Sequence, residues 1–492
     1  MVSGRAGGPR PDGRADAPDI LAPVLLEKQL PEEREYDFLV GRVIGAAALR
    51  RARAEAVRCG VATHEALLAL GLVSPAAYVS ALAQALGARV AGSDAVFDAK
   101  TARDGPREGP RDGPGLDEAE LRATIAGTPH RVLCAEGRAP GALRRRVAAL
   151  QACGVRVALA TRARGDAALD EARRSERLDR AVNDLLRRRP ADSAGGAMVW
   201  PWQRGAAALA AVLIAGGLTL APDTAIVALT ATTVLPFLCV VLLRLCALRE
   251  VVLASRGPAR REVPAPPSLT DAELPFYSVL VPLFREAGVV PRLVRSLQAL
   301  DYPRAKLEAL LVLEASDAET RAALLRLRLP PGFRTVIVPD AAPRTKPKAL
   351  NYALPLARGE YVVVYDAEDR PQPDQLRRAL ETFRSGPPQL GCVQARLNIY
   401  NPCSSWFTRQ FALEYSALFD AILPALARLG LPVPLGGTSN HFRRETLVAA
   451  GGWDPFNVTE DADLGFRLAR RGLCTAVLAS TTWEEAPVSF GG

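Results

Sequence analysis

The densest chemistry in the chain lies in YVVVYDAEDRP, where an apolar run, Tyr361–Tyr365, delivers Asp366, Glu368 and Asp369 within four residues. Carboxylates so close repel one another unless a cation sits among them. A hard divalent ion such as Mg2+ or Mn2+ favours such oxygens and leaves positions for phosphate oxygens. A solvated acidic turn is the competing reading of these residues alone. In PRTKPKALNYAL, Lys346 and Lys348 open a helix that contains Asn351. Lysine occurs only at 28, 100, 306, 346 and 348, so this pair stands out. Cations clustered near a helix start attract phosphate. In VTEDADLGFRLARRG, Thr459, Glu460 and Asp461 precede an amphipathic helix, where an ordinary cap is the alternative. In LPLGGTSNHFRRETL, Gly436-Gly437 permits close backbone approach, and Asn440, His441 and Arg443 supply polar groups.

The elements that must position these residues alternate between strand and helix from residue 274 onward: FYSVLVPLF, a helix to Leu300, LEALLVLE, a helix to Arg328, FRTVIVP, a helix over 349–357, then YVVVYDAED. This α/β alternation predicts a mostly parallel, Rossmann-like sheet with ligands at the carboxyl ends of its strands. Before it, Gly205–Ala221 and Ala225–Leu243 carry no charge, and Pro222-Asp223-Thr224 reads as the turn between them. Arg187, Arg188, Arg189 and Arg204 precede the pair, and Arg244 and Arg249 follow it. The spacing predicts a transmembrane hairpin over 205–243 with both soluble parts on the cytoplasmic side of the inner membrane.

The rest of the chain divides by composition. Residues 1–20 read as a disordered tail, 21–100 as a helical amino-terminal domain, 101–115 as a Gly/Pro-rich linker, 116–190 as a small α/β unit, and 254–273 as a Pro-rich linker. With 49% hydrophobic and 23% charged residues among 492, the chain is neither disordered nor a many-span membrane protein. Its net charge of +9 comes mostly from Arg spread over the whole length. That fits phosphates or lipid headgroups and does not single out nucleic acid, so no nucleic-acid partner is expected. The eight Cys show neither metal-ligand spacing nor a disulfide framework. His64 and His130 read as surface or cap residues.

The order of these motifs is more specific than any of them alone. VPLFRE, an acidic residue after the second strand, KPKALN, DAED, GGTSNHFRR, then TED with GFRLARRG resembles a family 2 glycosyltransferase of the GT-A fold. The resemblance is to the membrane-bound synthases related to cellulose, mannan and cyclic glucan synthases, and it covers roughly residues 275–492. Separately, LLALGLVSPAAYVSALAQALG resembles the amino-terminal domain of type II secretion ATPases, which in some relatives binds a cyclic dinucleotide. A small docking module is the other reading.

The glycosyltransferase resemblance implies an inverting transfer of sugar from a nucleotide-sugar, UDP-hexose by expectation, to a glycan or lipid-linked acceptor. It places Pro282 near the nucleotide base and Glu314 where most relatives carry an Asp that contacts the nucleotide. Asp366 and Glu368 occupy the acidic positions that hold Mg2+ or Mn2+, with Asp369 beside them to share the load. Lys346 and Lys348 approach the phosphates, and Asn351, His441 and Glu460 join the substrate site. Asp461 is the base, and Trp453 lies near the acceptor as a stacking surface. Relatives of this kind carry Gln-x-x-Arg-Trp after the TED helix, an element this sequence lacks, so the expectation is a carboxyl-terminally incomplete domain with an incomplete acceptor side. Partner subunits for polymer export are then conceivable. The alternatives are a catalytically impaired membrane regulator that binds a sugar nucleotide or cyclic dinucleotide, and a transferase that acts on a lipid.

Overall fold

The computed structural model describes residues 35–98, 121–196, 199–256 and 269–489. The expected tail at 1–20, the linker at 101–115 and most of 254–273 lie outside the described residues.

The larger sheet takes eight strands: β6 (Tyr277–Leu283), β7 (Leu307–Glu314), β8 (Phe333–Val338), β9 (Tyr361–Val364), β10 (Arg370–Pro371), β11 (Leu390–Ile399), β12 (Asn440–Arg443) and β13 (Cys474–Glu484), in the order β10-β13-β11-β12-β9-β6-β7-β8. β9, β6, β7 and β8 run parallel, and β12 is antiparallel to both of its neighbours. Both faces are covered, which is why these strands read as unbroken apolar runs. Tyr277, Val279, Leu311, Leu313 and Val363 enter one core layer, and Leu280, Leu310, Val312, Val362 and Val364 enter the other. The period of two thus decides which layer each side chain joins.

The smaller sheet takes five strands, β1 (Arg89–Val90), β2 (Val96–Phe97), β3 (Leu121–Ile125), β4 (Thr128–Cys134) and β5 (Val157–Ala160), in the order β1-β5-β4-β3-β2. HRVLCA and GVRVALAT supply β4 and β5. The expected boundary near 100–115 therefore runs through one sheet. β1 and β2 are two residues each, too short for periodicity to show. Three helices, α1 (Ala46–Cys59), α2 (Thr63–Ala69) and α3 (Pro75–Ala85), pack with α4 (Pro140–Ala152) and β5 around one core. His64 is a core residue and not a surface one: it is buried between Tyr36 and Tyr78, and Nδ1 contacts the Tyr36 hydroxyl at 3.2 Å. His130 is buried as well, on β4.

Helix α5 (Arg162–Arg188) leaves this unit and lies against the larger sheet's helix α10 (Lys346–Ala353). Asp166 pairs with Arg334 at 2.5 Å, the Tyr352 hydroxyl donates to Asp170 at 3.2 Å, and the Arg177 guanidinium stands 5.4 Å from the Tyr352 ring centre. Two helices follow, α6 (Pro201–Leu220) and α7 (Pro222–Arg256), each long and apolar enough to cross a membrane, with none of either apolar window buried within the chain. The turn is shorter than expected. Only Ala221 separates the helices, because Pro222 suits a first helical position and opens α7. The second helix also runs past Leu243 to Arg256. Leu243 there packs against Phe419, Leu423 and Leu426 of the helical segment 406–428.

Candidate active site

Strand β9 ends at Val364 and releases Asp366 into a tight turn at the carboxyl edge of the parallel strands. Asp369 closes that turn: its Oδ2 accepts the Asp366 backbone N–H at 2.7 Å and the Thr438 hydroxyl. Asp369 is 1% exposed. Burial, reinforced by Asp366, holds its carboxyl far above the usual range. The expectation that it shares a metal is corrected: its carboxylate points into the protein and shapes the turn. Asp366 and Glu368 remain outward, Asp366 half-buried and Glu368 exposed.

The two lysines of KPK take opposite paths. Residues two apart on a helix point roughly 200° apart. Lys346 turns into the acidic pocket, 2.7 Å from Asp366 Oδ1, and donates to the Gly437 carbonyl at 2.6 Å. Burial disfavours its charge, but Asp366, Asp461 and Glu460 outweigh burial and hold its pKa above the ordinary value. Lys348 is 0% exposed, pairs with Glu314 at 2.9 Å and donates to the Ala341 carbonyl at 2.9 Å. A phosphate contact by Lys348 is thus corrected to an internal ion pair beneath the end of β7. Burial raises the Glu314 carboxyl against the opposing pull of Lys348. Pro282 lies half-buried near the carboxyl end of β6, opposite Val312.

Helix α15 (Glu460–Arg470) carries Glu460 and Asp461 in its first turn, where the helix dipole favours negative charge. It is anchored by Arg467, 0% exposed, which donates to the carbonyls of Ala450 and Gly452, each at 2.9 Å, and to Asp463 at 2.7 Å. Gly465 lets it press on the Val433 carbonyl. A Cβ on Gly437 would stand 3.4 Å from Asp461 Oδ2 and 3.9 Å from Lys346 Nζ, ordinary contact distances that place Gly437 beside both groups. Burial pushes the Asp461 carboxyl up to about 7, with Glu460 and Asp366 adding repulsion and Lys346 opposing. Burial raises Glu460 as well.

Three expected contacts turn inward. His441 is 0% exposed, with Nδ1 2.7 Å from the Tyr277 hydroxyl and Nε2 3.3 Å from Gln375. Burial pushes it down to about 3, so it is a neutral core imidazole. Trp453 is 1% exposed and meets Phe442 edge to face, so it presents no stacking surface. Asn351 spans three backbone groups: Nδ2 donates to Ala181 O at 3.2 Å and Trp453 O at 2.7 Å, and Oδ1 accepts Trp453 N–H at 3.0 Å.

Sequence reasoning missed one acidic group. Glu484, at the end of β13, accepts a hydrogen bond from Tyr415. Burial pushes it up to about 7, with Asp366 and Glu368 adding repulsion and Lys346 opposing. In the sequence it stands in TTWEEAP with no spacing that ties it to Asp366. Parallel pairing of β13 with β11 brings it to the site edge, opposite Ile399.

The structure thus brings together Asp366, Glu368, Lys346, Glu460, Asp461, Glu484 and the Gly437 carbonyl. Lys348, Asn351, His441 and Trp453 are instead held by partners within the protein, and Asp369 Oδ1 is buried without a hydrogen-bond partner among the described residues. Among the described residues no three His, Cys, Asp or Glu side chains converge as a closed metal cage. Asp366 and Glu368 still offer hard oxygens beside open space. That donor set fits a divalent ion that completes its shell from phosphate and water.

A mixed sheet with an acidic turn after a central parallel strand and an acidic helix start facing it is the arrangement that the resemblance to GT-A transferases predicts. Residues 275–492 match the family described as Glycosyltransferase like family 2. The β-monoglucosyldiacylglycerol synthase of Trichormus variabilis is 32% identical over 201 residues, 40% of this chain and 42% of that protein. The poly-β-1,6-N-acetyl-D-glucosamine synthase of Staphylococcus aureus is 25% identical over 227 residues, 46% of this chain and 54% of that protein. A mannosyltransferase of Pyrobaculum calidifontis, solved with GDP-Man and Mn2+, is 26% identical and covers 54% of this chain and 68% of that one, at a TM-score of 0.39. The matched segment spans about half the length of the two curated relatives named.

Proposed function

We propose that the chain transfers a sugar from a nucleotide-sugar to a lipid acceptor at a membrane surface, with inversion at the anomeric carbon. The observation that carries this reading is the pocket in which Lys346 lies 2.7 Å from Asp366 while Asp461, raised to about 7, faces the same lysine. A cation for diphosphate and a base poised near neutral pH then share one wall. Asp461 takes the proton of the acceptor hydroxyl as that oxygen bonds to the anomeric carbon. The bond from that carbon to the diphosphate breaks, and the nucleoside diphosphate leaves with the electron pair. Lys346 holds the phosphate charge and keeps Asp461 ionisable. Asp366 and Glu368 would hold Mg2+ or Mn2+, whose chemistry is to neutralise the diphosphate. One base suffices, so no covalent sugar–enzyme intermediate is required.

The lipid acceptor is supported by the similarity to glucosyldiacylglycerol synthases and by the packing of Leu243 in α7 on the helical segment 406–428 beside the pocket. With α6 and α7 in the bilayer, their arginine flanks put both soluble parts on the cytoplasmic face. A polysaccharide acceptor is the second reading, favoured by the similarity to the poly-N-acetylglucosamine synthase. Purified chain in vesicles containing diacylglycerol, given Mn2+ and radiolabelled UDP-glucose or UDP-N-acetylglucosamine, distinguishes the two. Label extracted into organic solvent supports the lipid acceptor. Label in an insoluble polymer supports the second reading, and donor consumed in neither form contradicts both.

A further inference from the structure

Residues 189–196 join α5 to the membrane helices and lie against the loop and helix that carry Asp461. Asp454, 0% exposed, accepts the Ser193 hydroxyl at 3.0 Å, the Ala194 N–H at 2.5 Å and the Phe456 N–H at 3.1 Å. A Cβ on Gly195 would fall 2.6 Å from the Phe456 ring, so the strap's backbone rests on that ring. At the far end of α15, Asp192 accepts from Arg470 at 2.8 Å and from Arg471 at 3.3 Å. The loop held by Asp454 also meets the cap of the Lys346 helix, where the Thr345 hydroxyl donates to the Pro455 carbonyl at 3.0 Å, while Lys346 Nζ itself is held by Asp366 and the Gly437 carbonyl. Both ends of α15 are thus tied to a segment that belongs to neither the GT-A sheet nor the membrane helices.

We infer that the 189–196 strap is a positioning element of the transferase site: it sets the place of the Asp461 helix and couples that place to the amino-terminal unit. The inference rests on the transferase reading above. Several independent contacts from Asp192 to Gly195 converge on residues 454–456 and 470–471, and none of them touches the Lys346–Asp366 pair. Lifting the strap should therefore misplace the base and spare donor binding. Base misplacement costs rate steeply, since near-attack geometry tolerates little displacement.

The test uses the full chain in vesicles with two strap variants, Asp192→Ala/Ser193→Ala and Gly195→Ala, and the conservative Asp192→Glu. Two readouts are taken: hydrogen exchange of residues 454–470, and kcat beside UDP affinity. The expected result is faster exchange confined to 454–470, with kcat lowered roughly 10- to 100-fold. UDP affinity should stay within about twofold, and Asp192→Glu should behave nearly as wild type. Unchanged exchange in both variants would overturn the inference, and so would a loss of UDP affinity that matches the loss of kcat. If wild-type protein transfers no sugar, the transferase reading fails. The exchange result still decides whether the strap holds α15.

Discussion

Replacing Asp461 by Asn should make the protein more stable while it removes the proposed base. In the folded chain the Asp461 carboxyl rises from 3.8 to about 7, through burial first and then the repulsion of Glu460 and Asp366. Between those values the folded protein holds a proton that the unfolded chain has released, so this group's contribution to stability declines as pH rises from about 4 to about 7. By pH 8 the ionised carboxylate destabilises the fold by about 4 kcal/mol relative to its neutral form, at about 1.4 kcal/mol for each tenfold change in proton affinity. Asn keeps the shape without the charge, so the gain at pH 8 should be about 2–4 kcal/mol once local relaxation is allowed for. At about 2–4 °C per kcal/mol for a domain of this size, the melting transition should rise by roughly 4–16 °C. The assay is thermal unfolding of wild type and Asp461→Asn at pH 4 and pH 8 without divalent ion or nucleotide, with hydrogen exchange of residues 460–470 as the local readout. Equal melting at pH 8, or the same gain at both pH values, would refute the claim that Asp461 carries a costly charge.

Lys346→Ala should weaken UDP binding and also lower the melting temperature at pH 8, because Asp366 and Asp461 lose the cation that offsets them. Lys348→Ala should destabilise the fold by about 3–5 kcal/mol, because Glu314 is left buried without its partner; Lys348→Met with Glu314→Leu should recover most of that loss in thermal melts. Affinity for UDP should rise clearly on adding Mn2+, and Asp366→Ala should remove the difference in calorimetric titrations. Trp453→Ala should cost about 3–5 kcal/mol through the cavity it leaves while UDP affinity in the remaining folded protein is unchanged; a selective loss of acceptor binding would restore the stacking role.

The parallel core was legible because strands covered on both faces must be apolar at every position, and YVVVY followed by DAED marks both the strand and the end that faces ligand. The two long apolar helices were legible because Gly205–Ala221 and Ala225–Leu243 carry no charge. What was not legible is which polar residues face inward. Lys346 and Lys348 share one helical turn, and composition cannot fix the phase that sends one to the pocket and the other beneath Glu314. His441 follows a Gly-rich polar loop, yet it lies on β12, a strand covered on both sides, so it joins Tyr277 and Gln375 in the core. Glu484 and Asp192 were invisible because their partners lie far away in sequence, and only sheet order brings Glu484 to the site edge and the path of the chain after α5 brings Asp192 to the far end of α15.

The central claim is that Asp461 acts as the base in a pocket that binds donor through Lys346, Asp366 and Glu368. It is tested most directly by measuring transfer of labelled sugar by wild type and Asp461→Asn in diacylglycerol vesicles, beside UDP-sugar affinity in the same preparations. The account predicts equal donor affinity and transfer slowed by about 10²- to 10⁴-fold in the variant. Transfer by Asp461→Asn at the wild-type rate, or loss of donor binding in step with loss of transfer, would contradict it.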